Sequence, residues 1–325
     1  MSTTMQTVPD QSRSLRVPRI NIRDFGTLIG LVLMMAIFAA IAPGFLSERN
    51  LVNILQQSSI NAFVALGMTL VIISGGIDLS VGPTAALAAV LAASLMTVGV
   101  PVPLAILAGL VLGALCGAVN GMLISFGGLQ PFIVTLGTLS TYRALALIVT
   151  GGNPILGIPH TLRAIANGRL LGIPTSVLLV GLVAILAGIM LRRTPFGEYL
   201  LAVGGNEEAS HIAGVPIALT KIGAYALSGT MAALAAMILI GRLGAAEPIL
   251  GSSWELDAIA AAAIGGASLM GGKGSIIGTL LGAIILGAMR NGLTLLNVQA
   301  FYQLLATGLI ILFAMLLDRF TRGRS

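Results

Sequence analysis

Residues 50–97 read NLVNILQQSSINAFVALGMTLVIISGGIDLSVGPTAALAAVLAASLMT, two apolar runs joined by the glycine-rich stretch SGGIDLSVGP (74–83). About 20 apolar residues in helix span a bilayer's hydrocarbon core. A carboxylate at the middle of such a span costs on the order of 3 kcal/mol on insertion scales. Asp78 therefore belongs to a break between helices, at a membrane face or in a protein-lined gap. Gly75 and Gly76 are poor helix formers and end the first helix. Asp78 or Ser80 is placed to N-cap the second, with the carboxylate at the positive end of its dipole. Pro83 falls in the first turn, where its missing N–H is no loss. For Asp78, and equally for Asp257 at the head of a later apolar run, the sequence leaves three roles open: helix cap, gating element, or direct contact with a transported molecule.

The whole chain repeats this pattern. Of 325 residues, 57% are hydrophobic and only 9% charged, against about 25% charged in a soluble domain. No soluble core of this length hides so much apolar surface, so the chain reads as an all-α integral membrane protein. The 42 glycines suit close helix packing in lipid. The net charge of +6 does not mark a nucleic-acid binder: Arg13, Arg16, Arg19 and Arg23 precede the first apolar run, Arg192 and Arg193 end a central one, and Arg319, Arg322 and Arg324 follow the last. Those are topology signals of the positive-inside kind. Cys116 is alone and reads as a small buried hydrophobe.

Apolar segments fall near 25–42, 51–73, 81–99, 102–124, 131–150, 174–191, 218–241, 256–270, 275–291 and 300–317, about ten transmembrane helices. The first exceeds the usual h-region of a signal peptide and reads as a retained helix. Threading from a cytoplasmic N-terminal arm (1–24) through a transmembrane domain (25–318) to a cytoplasmic tail (319–325) puts Arg192, Arg193, Lys221 and Lys273 inside. Residues 151–174 and 242–254 fall outside; Arg163 and Arg169 lie there against the charge rule, in a loop long enough to tolerate them. An internal echo accompanies this topology. Leu112-Gly113-Ala114 and Gln130-x-Phe132 recur 169 residues later as Leu281-Gly282-Ala283 and Gln299-x-Phe301. GIDLSVG (76–82) is matched with WELDAIA (254–260). The halves, about 51–150 and 218–317, then run in opposite senses, an inverted-topology repeat of the kind transporters use.

The central loop 192–217 contains a well-punctuated short helix. Asn206 is its N-cap, Glu207 and Glu208 favour the positive dipole end, His211 sits near the other end, and Gly214 supplies the C′ residue before Pro216. Such a helix is either a handle for a soluble partner or an ordinary interfacial loop. MGGKGS (270–275) imitates a nucleotide-phosphate loop but fails the pattern, since Ala267 stands at the first glycine and Gly274 follows Lys273. With only His160 and His211, far apart in the topology, neither a histidine metal site nor a Ser-His nucleophile is expected. The chain is read as a non-enzyme without a cofactor or metal.

Three blocks together, NLVNILQQSSINAFVALGMTLVIISGGIDLSVG (50–82), RTPFGEYLLAVGGNEEASHIAGV (193–215) and ELDAIAAAAIGGASLMGGKGSIIGTLLGA (255–283), resemble the permease subunit of ribose-type ATP-binding-cassette sugar importers, from about Asn50 to Asp318. The resemblance implies a bacterial inner-membrane importer. It has two permease copies, a homodimer in the simplest case, with separate cytosolic ATP-binding subunits and an external sugar-binding protein. The loop region Gly205, Asn206, Glu207, Glu208, Ala209, His211 and Gly214 matches the part that docks the ATPase. Ribose is the first reading of the cargo; xylose, galactose-type sugars and signalling furanoses share the blocks.

For a path, Asn53, Gln57 and Asn61 recur every fourth residue, and Gln56 borders them. Amides inside a membrane helix face either another helix or a pathway, and a neutral polyol needs amides rather than charge. Arg143 and Arg290 read as snorkelling residues, and Tyr142, Trp254 and Tyr302 as interfacial anchors. An ion-coupled transporter would instead call for mid-membrane carboxylates, and a structural scaffold would leave the capped helix and the echo unexplained.

Overall fold

The computed structural model describes residues 22–322, with side chains for 26–310 and 312. Arg13, Arg16, Arg19 and Arg324 lie outside the described residues, as do the side chains of Arg23, Arg319 and Arg322. Within them the chain forms α1 (Ile22–Ile41), α2 (Glu48–Ile73), α3 (Val81–Thr97), α4 (Val102–Ser125) and α5 (Pro131–Thr150). A small segment follows: β1 (Ile155–Leu156), α6 (His160–Asn167), β2 (Arg169–Leu170) and β3 (Ile173–Pro174). Then come α7 (Thr175–Arg193), α8 (Pro195–Gly205), α9 (Glu207–Ile212), α10 (Ile217–Leu243) and β4 (Ala245–Ala246), and finally α11 (Trp254–Ile264), α12 (Ile276–Leu295) and α13 (Ala300–Arg322).

Each apolar segment carries one of these helices. Six of them, α2, α4, α5, α7, α10 and α12, are long and apolar enough to cross a membrane, and α1, α3 and α13 contribute shorter apolar stretches. The segment read as 256–270 is different. Its helix α11 has 11 residues, about 16 Å at 1.5 Å per residue, roughly half a hydrocarbon core. Gly265 and Gly266 end it, Gly266 in the left-handed region at φ 83°, and residues 267–275 form a turn.

Helix α2 forms the centre, with 83% of its apolar stretch buried inside protein, against 28%, 22% and 28% for α4, α5 and α7 on the outside. Helix α10 packs beside it and against α3 and α4, while α12 and α11 close the other flank of α2. Small residues set the spacing. Gly113 of α4 and Gly229 of α10 lie so close that a Cβ on either would strike the other's carbonyl. In lipid, where apolar side chains gain nothing by leaving solvent, such backbone proximity is what holds helices together.

Two pairs of helix starts share one spacing. Residues 48 and 217 begin α2 and α10, and residues 131 and 300 begin α5 and α13, each pair 169 apart. Past the ends of α2 and α10, Gly75 and Gly244 both have positive φ. Gly82, in the first turn of α3, packs against Gly251, just ahead of α11. Glu247, exposed in AAEPILG (245–251), stands 169 residues after Asp78, and Asp257 stands 179 after it.

The bundle has two distinct ends. At one, the backbone N–H of Gly272 donates to the carbonyl of Ile73 at 2.9 Å, which brings the end of α2 to the turn before α12, and Glu207 of α9 meets Lys221 of α10 at 2.7 Å. At the other, β1 pairs antiparallel with β4, and Asn167 of α6 donates to the Gly241 carbonyl at 3.3 Å.

Candidate functional site

The break at 74–80 lies inside protein. Asp78 is 1% exposed. Its Oδ1 accepts from the backbone N–H of Ser80 at 3.0 Å and from Ser80 Oγ at 2.7 Å. Its Oδ2 accepts from Ser228 Oγ of α10 at 2.9 Å. Ser80 Oγ in turn accepts from Asn120 Nδ2 of α4 at 2.8 Å. Ser80 holds the N-cap position of α3 but makes no capping bond with its side chain, so neither residue caps the helix in the expected sense. Asp78 instead closes an Asx-turn and, through three donors, fastens the break to α4 and α10. A carboxylate buried with this many donors is stable where a bare one is not.

Asp257 also departs from the capping expectation. It is the fourth residue of α11, whose N-cap position is Ser253, and its carboxylate is ion-paired with Arg290 of α12. Arg290 is therefore no snorkelling side chain. Nor is Arg143: its Nη1 donates to the carbonyls of Pro248 and Leu250 at 2.7 and 2.8 Å, pinning the turn ahead of α11 to the middle of α5. Tyr142 is buried rather than interfacial, donating to the Cys116 carbonyl at 3.0 Å. Tyr302 is exposed and rests against Phe301, ring centroids 4.6 Å apart.

Two cavities carry the remaining candidates. A cavity of about 430 Å³ opens at the β1–β4 end, lined by Gln57 and Asn61 of α2 with Asn167, Arg242, Trp254 and Arg290. Two of the four amides read from the sequence are brought together here. Asn53 is exposed one turn away, and Gln56 contributes its carbonyl, which accepts from Arg242 at 3.5 Å. Trp254, Arg242 and Asn167 were not legible as partners: each lies more than 100 residues from Gln57 and Asn61 in the chain, and only the fold brings them to one place.

At the opposite end lies a cleft of about 750 Å³ between the α4–α5 turn and α9–α10, lined by Phe126, Leu129, Gln130, Glu207, His211 and Lys221 among others. Asn206 caps α9, its Oδ1 accepting from the Ala209 N–H at 2.9 Å. Gly214 follows the helix at φ 79°, and its N–H and that of Val215 donate to the carbonyls of His211 and Ser210, both at 3.0 Å, the double closure of a Schellman motif. Glu208 is exposed, as are Gly205 and Ala209. The sequence showed only this helix; α8, immediately before it, was missed. Thr194 caps α8 and Pro195 opens it, a signal of the expected kind, while its buried Leu200 and Val203 anchor it to the bundle. Of the apolar residues lining the cleft, Phe126 is 72% and Leu219 68% exposed, and Ile212, next to the lining residue His211, is 82% exposed.

A family model described as "Branched-chain amino acid transport system / permease component" matches residues 50–315. The chain is 45% identical to the ribose import permease protein of Bacillus subtilis, covering 91% of this chain and 93% of that protein. It is 44% identical to the ribose import permease protein of Escherichia coli K12, over 90% and 92%. The D-allose transport system permease protein of the same strain is 37% identical over 91% of each chain, and the xylose transport system permease protein of Haemophilus influenzae 32% over 93% and 98%. No solved structure matches the chain. With a family model covering most of its length and full-length relatives at this level of identity, the chain belongs to this family of multi-pass membrane permease components.

Proposed function

We propose that this chain is the membrane-spanning subunit of an ATP-driven ribose importer. The observation that carries the cargo is the fall in identity from ribose permeases at 42–45% to allose at 37% and xylose at 32%. Because the chain lacks a nucleotide-phosphate loop, ATP hydrolysis falls to a separate cytosolic subunit, which docks on α9 and the surrounding cleft through Gly205, Asn206, Glu207, Glu208, Ala209, His211 and Gly214. An external sugar-binding protein delivers ribose to the other end. The chain sits in the bacterial inner membrane with both termini in the cytoplasm.

Ten apolar helices in two inverted halves, about 51–150 and 218–317, make up the permease, with α3 and α11 as short helices that start near each other. The 169-residue spacing and the Gly82–Gly251 contact support this reading. A second copy of the chain completes the path. Support comes from α5, whose exposed surface carries Ser140 and Thr141, whereas at the equivalent positions α13 carries Leu309 and Ile310. Thr141 bonds back to the Gly137 carbonyl at 3.0 Å, which leaves the Ser140 hydroxyl on this outer face better suited to a water-filled path between two copies than to lipid.

Gln57 and Asn61, with Trp254 beside them, offer amide donors and acceptors and a ring face to a polyol. Changing both amides to leucine removes two sugar hydrogen bonds at about 1 kcal/mol each, so uptake at sub-saturating ribose is expected to fall about 10- to 30-fold while ATPase coupling is kept. Uptake within twofold of wild type removes these residues from the path.

The test of the function itself reconstitutes the chain with its ATPase subunit in liposomes, binding protein outside and ATP inside, and follows radiolabelled ribose. Uptake requiring all three components, and lost in Asn206→Arg with Glu207→Arg at unchanged insertion, is the expected result. Uptake without ATP sinks the importer, and ATP-driven uptake of another sugar alone leaves the class standing with a different cargo.

A further inference from the structure

Between α7 and the start of α12 the outer surface holds a groove of about 490 Å³. One face of α7 forms its floor, with Gly181, Ala184 and Gly188 at helical spacing, and Ile276, Ile277 and Leu280 of α12 form its wall. A Cβ on Gly181 or Gly188 would meet nothing within 4 Å, so these glycines open space rather than admit a neighbouring helix. The groove ends at Arg192 and Arg193, both exposed and neither ion-paired with a carboxylate among the described residues. Among those residues no acidic side chain lines it. Exposed Lys273 lies three residues ahead of Ile276, and the N-terminus of α12, capped by Ser275, turns the positive end of a 20-residue helix towards the same end of the bundle.

An apolar trough closed at one end by two cations that have no ion pair among the described residues matches one class of ligand. We infer that the groove seats an anionic phospholipid, one acyl chain lying along Gly181–Gly188 and the phosphate held between Arg192 and Arg193. The arginines alone would be topology signals. What adds the ligand is the trough above them, which free phosphate would leave empty and a zwitterionic lipid would fill without answering two net positive charges. The inference depends on the chain spanning a membrane and is independent of its cargo.

The test is native mass spectrometry of the full chain purified in detergent micelles, offered equimolar phosphatidylglycerol and phosphatidylethanolamine with matched acyl chains. Wild type is expected to retain phosphatidylglycerol about tenfold over phosphatidylethanolamine, in line with the attraction of two juxtamembrane cations for an anionic headgroup. R192Q with R193Q is expected to bring the two lipids within about twofold. Gly188→Leu fills the trough and keeps both charges, so it is expected to lower retention of both lipids; it carries the test if the arginine variant fails to insert. Unchanged phosphatidylglycerol retention in Gly188→Leu, or in a folded arginine variant, overturns the proposal. So does complete displacement of phosphatidylglycerol by millimolar inorganic phosphate, which would mark an ionic site without a lipid.

Discussion

Ile212→Glu is expected to cut ATP-driven uptake at least about 30-fold while the protein inserts and folds normally. Ile212 closes α9 and is 82% exposed beside the cleft that Glu207 and His211 line. In lipid such a residue would be ordinary, but this one follows His211, which lines the cleft together with Lys221 and Gln130, groups that need water or a polar partner. An exposed aliphatic residue beside a polar-rimmed cleft suits an interface anchor. Replacing an anchor with a charge typically removes about 2 kcal/mol or more of binding, about a 30-fold change. Because α9 is fixed from within, by the Asn206 cap and the Gly214 closure, the substitution leaves the helix itself intact. Stimulation of the ATPase by the permease and co-purification of the two subunits are the measurements. Full stimulation in the variant would place the docking surface elsewhere.

Arg290→Met is expected to destabilise the protein by about 3–5 kcal/mol, because it strands Asp257, 3% exposed, as an unpaired buried charge. The double variant Asp257→Leu with Arg290→Met should recover most of that loss, since removing both members of a buried pair often costs little. Thermal unfolding in detergent separates the cases, with the single variant well below wild type and the double variant close to it. Equal damage in both would mean that the packing of Arg290 against α11, and not the charge pair, supports the fold. Ribose uptake need not return with stability, because Arg290 also lines the cavity beside Gln57 and Asn61.

The sequence readings that held are those set by local chemistry. Gly75 and Gly76 end α2 because nothing in their side chains supports another turn, and Asn206 caps α9 because an amide beside free backbone N–H groups finds them without help from elsewhere. The readings that failed concern residues whose partners are distant in the chain. Arg143 and Arg290 were read as snorkelling because a lone arginine in an apolar run has no visible partner. The structure supplies carbonyls 105 and 107 residues away for one and a carboxylate 33 residues away for the other. Asp257 was placed at the head of its run with a cap as one of its roles, whereas it lies in the first turn of α11 and pairs with Arg290 of α12.

Composition and local motifs set the solvent and the element order. Apolar runs of membrane length, the glycine breaks and the capped loop helix are local properties, and in lipid every backbone polar group must be satisfied within its own segment. Helix positions are therefore written almost directly into composition. Which polar groups meet is set by the packing of the bundle. The ties from Asp78 to Ser228, from Asp257 to Arg290, and the gathering of Gln57, Asn61 and Trp254 around one cavity depend on helix pairs brought into contact by small residues. Glycine and alanine contacts set how near two helices come without stating which two, so the pairing is a property of the packed bundle rather than of any single stretch.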